Sequence, residues 1–222
     1  MGFCFLIVIT IASMFLQNPP LENNGVPVNA GIRTADLFRD RNFWGLVCGI
    51  FPCLGIGLMI IGNIKPFGLA LNLNLAAAGA AVSILAFFNA TGRIIWGIIG
   101  GMMEGKKVIL LSLISTSAVC LLAPFAVKDE MTFYIFATLA GFNYGACLVL
   151  YAAEIAHQYG TDQMGTIYST LFLSNGIAGF LAPPVAGKIY DATGSYTPAF
   201  LIFGSLSFIC IFLFYFIYQG DR

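Results

Sequence analysis

Charged and turn residues divide the chain into seven apolar stretches, and six of these run for 20 residues or more. A helix rising 1.5 Å per residue needs about 20 residues to cross the roughly 30 Å hydrocarbon core of a bilayer. A backbone that leaves water must satisfy its own polar groups, and a helix does so within a single segment. The chain therefore reads as an all-α integral membrane protein. Composition agrees, with 59% hydrophobic and only 9% charged residues, where soluble domains carry about a quarter charged. Length sets a ceiling, because twelve spans would use roughly 240 residues before any loop and the chain has 222.

The first stretch, residues 2–16, is short for a span. It lacks a basic leading segment and ends Phe15-Leu16-Gln17-Asn18 rather than in small residues, so it reads as a truncated transmembrane helix (residues 1–16) and not a signal peptide. Residues 17–41 form a polar linker with Pro19-Pro20 and Asn23-Asn24-Gly25, and residues 42–222 form a bundle of six helices. The expected spans are 43–64, 75–103, 108–127, 131–153, 164–187 and 198–218. Pro52, Pro124 and Pro183-Pro184 fall inside them and predict bends. Thr197-Pro198 predicts a helix start with threonine as N-cap and proline at the first helical position.

Alternate loops differ in basic residues. Arg33, Arg39, Arg41, Lys106, Lys107 and Arg222 share one side, against Lys65, Lys128 and Lys188 on the other, which predicts a cytoplasmic linker and C-terminus. A plasma-membrane location is the expectation. Trp44, Tyr215 and Tyr218 sit near span ends, where an interfacial aromatic belt would place them. Glycines recur as Gly97-x-x-x-Gly101-x-x-x-Gly105, and Gly187-x-x-x-Asp191-x-x-Gly194 follows ninety residues later. Two groups of three helices with related ends are what a three-plus-three transporter repeat predicts, although such glycines also serve close helix packing.

Other classes fall away. The net charge is zero with no basic block, which argues against a nucleic-acid partner. The six cysteines all lie in apolar runs without a C-x-x-C pair, and there is one histidine, so neither a disulfide framework nor a metal site is expected. H-E-x-x-H, G-x-S-x-G, a P-loop and paired carboxylates within a span are absent, so the chain is not read as an enzyme and no cofactor is expected.

Arg93 is the outlier, the sole charge between Lys65 and Glu104 and set within an apolar helix. A charge at bilayer depth costs at least ~2.5–3.5 kcal/mol on insertion scales and so faces protein or a wet cavity. Asn89 lies one turn earlier on the same face. An anion site is one reading, since guanidinium offers a permanent charge and a planar fork for carboxylate. Snorkelling to the helix end, about 12 Å away at 1.5 Å per residue, is the other. Asn143, Tyr144 and Asn175 are further polar groups within spans, open to a ligand role or to helix–helix hydrogen bonding. Glu154 and His157 follow the span 131–153, where they either pair with Lys106 or Lys107 or are solvated, the latter preferred.

The stretch Asn89-Ala-Thr-Gly-Arg93-Ile-Ile-Trp96-Gly97, with the glycine-rich turn into Lys106-Lys107, resembles the eighth helix and following loop of major facilitator superfamily transporters, most closely the oxalate/formate antiporter and monocarboxylate transporter branch. Arg41-Asn42-Phe43-Trp44, Gly57-Leu-Met-Ile-Ile-Gly62-Asn63, and Ala182-Pro183-Pro184-Val-Ala-Gly187-Lys-Ile-Tyr190-Asp191-Ala-Thr193-Gly194-Ser195-Tyr196 agree, in order, over residues 36–222. The resemblance implies the C-terminal half of a carrier of small carboxylates, working by alternating access, with residues 1–16 as the sixth helix. It implies Arg93 as the substrate anchor, with Asn89, Asn143, Tyr144 and Asn175 as cavity groups. Gly97, Gly101, Glu104, Gly105, Lys106, Lys107 and Asp191 become gating or loop positions.

Departures matter. The branch's proton-coupled members carry aspartate where Asn89 stands, which leans this chain toward exchange or facilitated diffusion. Oxalate carriers use a lysine where the chain reads Ser174-Asn175-Gly176, which favours a monocarboxylate. Glu104 abuts Gly105 rather than standing two or three positions away. The implied partners are the carboxylate, the lipid bilayer, and a missing N-terminal six-helix half or a second subunit. The alternative is a non-transporting membrane scaffold derived from a half-carrier.

Overall fold

The computed structural model describes residues 34–220 together with Thr10. The chain separates into two units, Met1–Gly31 and Ile32–Arg222, and the expectations for residues 1–16 and for the linker before residue 34 lie outside the described residues. A one-turn helix, Thr34–Leu37, leads into six long helices: α1 Arg41–Ala70, α2 Leu75–Met102, α3 Gly105–Ala126, α4 Glu130–Tyr159, α5 Thr161–Thr193 and α6 Thr197–Ile217. All six are long and apolar enough to cross a membrane. Their connections are a few residues long, so successive helices reverse direction. One end of the bundle, the Arg41 end, gathers the starts of α1, α3 and α5 and the ends of α2, α4 and α6; the other is the Ala70 end.

Several helices outrun the apolar segments that announce them. Polarity marks where hydrocarbon stops, whereas a helix stops only where its backbone is capped or broken. Thus α1 continues through exposed Lys65 and Pro66 to Ala70, and α4 runs past Glu154 to Tyr159. Side chains supply the caps: Asp40 accepts from the Asn42 amide at 2.8 Å, and Asn74 from the Ala77 amide at 2.7 Å. Asp129 and Thr132 form a reciprocal capping box at the start of α4. Gly194 closes α5 at φ 70°, a left-handed conformation that suits glycine. The expected cap of α6 is corrected by one position. Thr197 is already helical, and the Ser195 hydroxyl accepts from its amide at 3.1 Å.

The helices pack in an order with a hidden symmetry. The most extensive contacts pair α2 with α4 and α1 with α5, followed by α3 with α6, α1 with α6 and α3 with α5's neighbour α4. Exchanging α1 for α4, α2 for α5 and α3 for α6 sends α2–α4 to α1–α5, α1–α6 to α3–α4, and α1–α2 to α4–α5, while α3–α6 maps onto itself. Each triplet has an odd number of spans, so the second runs opposite to the first, the arrangement of an inverted repeat. Helices α1 and α4 are the most enclosed, with 67% and 56% of an 18-residue apolar stretch buried, against 28% for both α2 and α5.

Two apolar clusters fill the interior. Phe43, Leu46, Ile50, Val108, Ile109 and Phe214 belong to one. In the other, toward the Ala70 end, the Phe67 ring meets those of Phe133, Phe136, Tyr196 and Phe200 at 5.0–5.9 Å. Asn63 ties α1 to α5 beside them, donating to the Pro183 carbonyl at 3.2 Å and accepting from the Tyr196 hydroxyl at 3.4 Å.

Candidate functional site

Glycine brings α2 and α4 into backbone contact. A Cβ on Gly92 would strike the Phe142 carbonyl oxygen, and one on Gly141 the Leu85 carbonyl oxygen. At Gly145 it would stand 2.7 Å from the Asn89 oxygen and 2.8 Å from the Arg93 nitrogen. Without side chains at these three positions the helices settle against each other, as small residues permit in membrane bundles. Gly57 does the same for a ring, since its missing Cβ leaves the place occupied by Tyr144.

That crossing fixes Arg93. Its backbone lies on Gly145, and its side chain leaves the contact on the exposed side of α2, where Nε donates to the Asn89 side-chain oxygen Oδ1 at 3.2 Å. The guanidinium lies within electrostatic reach of the Tyr144 and Tyr168 hydroxyls. It forms no ion pair among the described residues, where the recorded salt bridge joins Lys107 to Glu104 at 2.7 Å. Arg93, Asn89 and Tyr144 therefore share one neighbourhood. Tyr168 joins them from α5, with its hydroxyl donating to the Leu148 carbonyl at 3.3 Å. Sequence reasoning passed it over, because a tyrosine 75 positions away carries no local signal of its neighbour.

The other candidates stand apart. Asn143 is two residues from Gly141, hence on a different face of α4, and is buried with both amide atoms unpaired. It borders a cavity of about 10 Å³ between α1, α3 and α4, with Cys53, Thr116 and Tyr144 also in the wall. Asn175 is half-buried on α5 with its carbonyl oxygen unpaired. Asp191 is exposed near the Ala70 end, remote from the other loop positions.

Those positions build a larger feature. A cavity of about 610 Å³ opens at the Arg41 end, lined by Gly97, Gly101, Gly105, Glu104, Lys106, Glu154 and His157 among others. A Cβ on Gly101 would meet nothing within 4 Å, and one on Gly97 only Val149 at 3.4 Å. Gly97 and Gly101 therefore border open space, whereas Gly105 is packed against Glu154, and the α2–α4 contact rests on Gly92, Gly141 and Gly145. Glu104 is exposed, and the Lys107 ammonium bonded to it holds its carboxyl below the usual range.

The preference for a solvated Glu154 is corrected. The side chain is buried, its carboxylate lies against Gly105, and the Tyr218 hydroxyl donates to it. Tyr218 itself is fully buried rather than part of an interfacial belt, while Trp44 and Tyr215 are exposed. The burial arises because α6 lays Tyr218 over Gly45, where a Cβ would stand 2.7 Å from that of the tyrosine.

A bundle of six long apolar helices thus carries an arginine within a span and a glycine-lined cavity at one end. The family model of the Major Facilitator Superfamily matches residues 48–222. The chain belongs to the major facilitator superfamily. This major facilitator protein is 24% identical over 185 residues to an uncharacterized transporter, YhjX, of Escherichia coli (79% of this chain, 45% of that protein). It is 23% identical over 209 residues to the oxalate:formate antiporter of Oxalobacter formigenes (94% and 50%) and 26% identical over 152 residues to monocarboxylate transporter 12 of Xenopus laevis (67% and 33%). The chain spans half or less of the length of these relatives.

Proposed function

We propose that this chain is the C-terminal six-helix half of a carrier for small monocarboxylates. Arg93 is the anion anchor, and Asn89, Tyr144 and Tyr168 shape its surroundings. The observation that carries the reading is the Arg93 guanidinium itself. It is oriented by Asn89, unopposed by any acid in an ion pair among the described residues, and set nine residues from the end of a membrane-spanning helix on an exposed side. A charge so placed is functional by default in a membrane protein. The relatives that carry oxalate and formate or monocarboxylates in their names support the same substrate class. Lys65 and Lys188, the other cations well inside helices, stand near the Ala70 end, so a second carboxylate would enter low dielectric without compensation. A monocarboxylate therefore suits the site better than a dicarboxylate.

Alternating access needs two bundles moving about a midplane site. In this reading the exposed side of α2 and α5 meets a second six-helix half, from the same polypeptide or from another subunit. The basic-residue count supports a plasma-membrane orientation with the Arg41 end in the cytoplasm. The test is uptake of a labelled monocarboxylate such as lactate by vesicles containing the complete carrier with Arg93→Lys. Lysine keeps the charge but loses the planar fork, so affinity should weaken about tenfold, ~1.4 kcal/mol. Unchanged transport and affinity would remove Arg93 from the site.

A further inference from the structure

Asn143 stands near the middle of α4, roughly 20 Å from the nearer end of the helix at 1.5 Å per residue. Bulk water is most distant at that depth. The side chain is 2% exposed, and neither its amide nitrogen nor its amide oxygen has a hydrogen-bond partner among the described residues. Asparagine in a membrane bundle ordinarily bonds across to a neighbouring helix, and Asn143 makes no such bond among them. An amide moved from water into an apolar interior is costly unless paired, so nearly all buried ones are bonded to protein or to internal water.

The cavity that Asn143 borders between α1, α3 and α4 has a volume of about 10 Å³. That is the least that admits one water molecule, and it excludes a carboxylate or any other organic ligand. Much of the wall is apolar, with Ile56, Ile60 and Val119 contributing. Thr116 supplies a polar group from α3. Its hydroxyl gives its one proton to the Ser112 carbonyl at 2.8 Å, so its oxygen is left as an acceptor. The Cys53 thiol, 3.6 Å away, is then the donor of their contact and takes one of the two lone pairs. The other remains for a further donor.

We propose that this cavity is the binding site of one structural water molecule, which joins α3 to α4. The water donates one proton to the Thr116 oxygen and meets the Asn143 amide with the other. It thereby supplies the interhelical link that the asparagine does not make directly. The bridge gives the amide a role at a depth where an apolar side chain of similar size would otherwise serve. Tyr144, whose ring occupies the place of a Gly57 Cβ, forms part of the same wall. The site requires no transport activity, and it puts Asn143 with the scaffold behind Tyr144 rather than with the groups around Arg93.

The test is water-edited NMR of the full protein in lipid, labelled with 15N-asparagine. The Asn143 side-chain signal, identified by its loss in Asn143→Leu or, should that variant not fold, in Asn143→Ser, should receive magnetisation from water. A signal that receives none overturns the proposal. Thermal unfolding supplies the second arm. Asn143→Leu and Thr116→Val should each lower Tm by about 2–4 °C. The double variant should fall little further than either alone, because each single change already removes the bridge. Additive shifts overturn the proposal, and so does a Tm that rises in Asn143→Leu, the outcome expected of a dry, unpaired amide.

Discussion

Gly145 and Arg93 touch through their backbones: a Cβ on the glycine would lie 2.8 Å from the arginine amide nitrogen. The proposed anion anchor is thus positioned by a residue with no side chain, on another helix. Gly145→Ala should force α2 and α4 apart, costing about 1–3 kcal/mol as overpacking does. It should also weaken carboxylate binding by displacing Arg93. Thermal unfolding in detergent and substrate titration would show both; a variant with wild-type stability and affinity would refute the backbone contact.

Gly101 and Gly105 should respond in opposite ways. Alanine at Gly101 meets open space and removes a flexible residue from a helix, so stability should hold or rise by up to about 1 kcal/mol. Alanine at Gly105 runs into the Glu154 carboxylate and should destabilise. Melting temperatures of the two variants decide the matter, and equal shifts would contradict the assigned placement of the stripe.

Ser117 and Ser207 share a buried hydrogen bond of 2.7 Å between α3 and α6. Changing either to alanine strands the other hydroxyl, at about 1–3 kcal/mol, while changing both removes the pair and should cost less than the two single changes summed. A double-mutant cycle measures the coupling. Strict additivity would mean the hydroxyls do not interact.

The start of α4 should sense acid. The Asp129 carboxyl accepts from the Thr132 amide and hydroxyl, both at 2.8 Å, and these bonds hold it below the usual aspartate range. A depressed folded-state value means the cap contributes above the ordinary aspartate pKa and fades as pH falls through the depressed one. Amide exchange over residues 130–134, corrected for its intrinsic pH dependence, should accelerate across that acid window. Asp129→Asn, which retains a capping oxygen without the titration, should flatten the response.

The spans were readable because a bilayer demands long apolar segments whatever their packing, and Arg93 with Asn89 was readable because one helical turn fixes that pair. Helix ends were less so, since Lys65 and Glu154 end an apolar run without ending a helix. Tyr168 was missed and Glu154 misjudged for a common reason. Their surroundings are made by other helices, the first within electrostatic reach of Arg93 on α2, the second beneath Tyr218 and against Gly105. Nothing in the local pattern around either residue records those neighbours.

The seat of Tyr218 over Gly45 also orders events during synthesis. The Asn42 side chain accepts from the Gln219 amide, and Arg41 donates to the Phe216 carbonyl 175 residues away. While a ribosome is still making α2 to α5, the groove at the mouth of α1 stays open and Glu154 lacks its tyrosine. Only when α6 has inserted can the last turn fold back and shut it. A chain ending before Phe214 would carry most of α6 yet lack every one of these contacts with the mouth of α1, and that seam would stay unsealed.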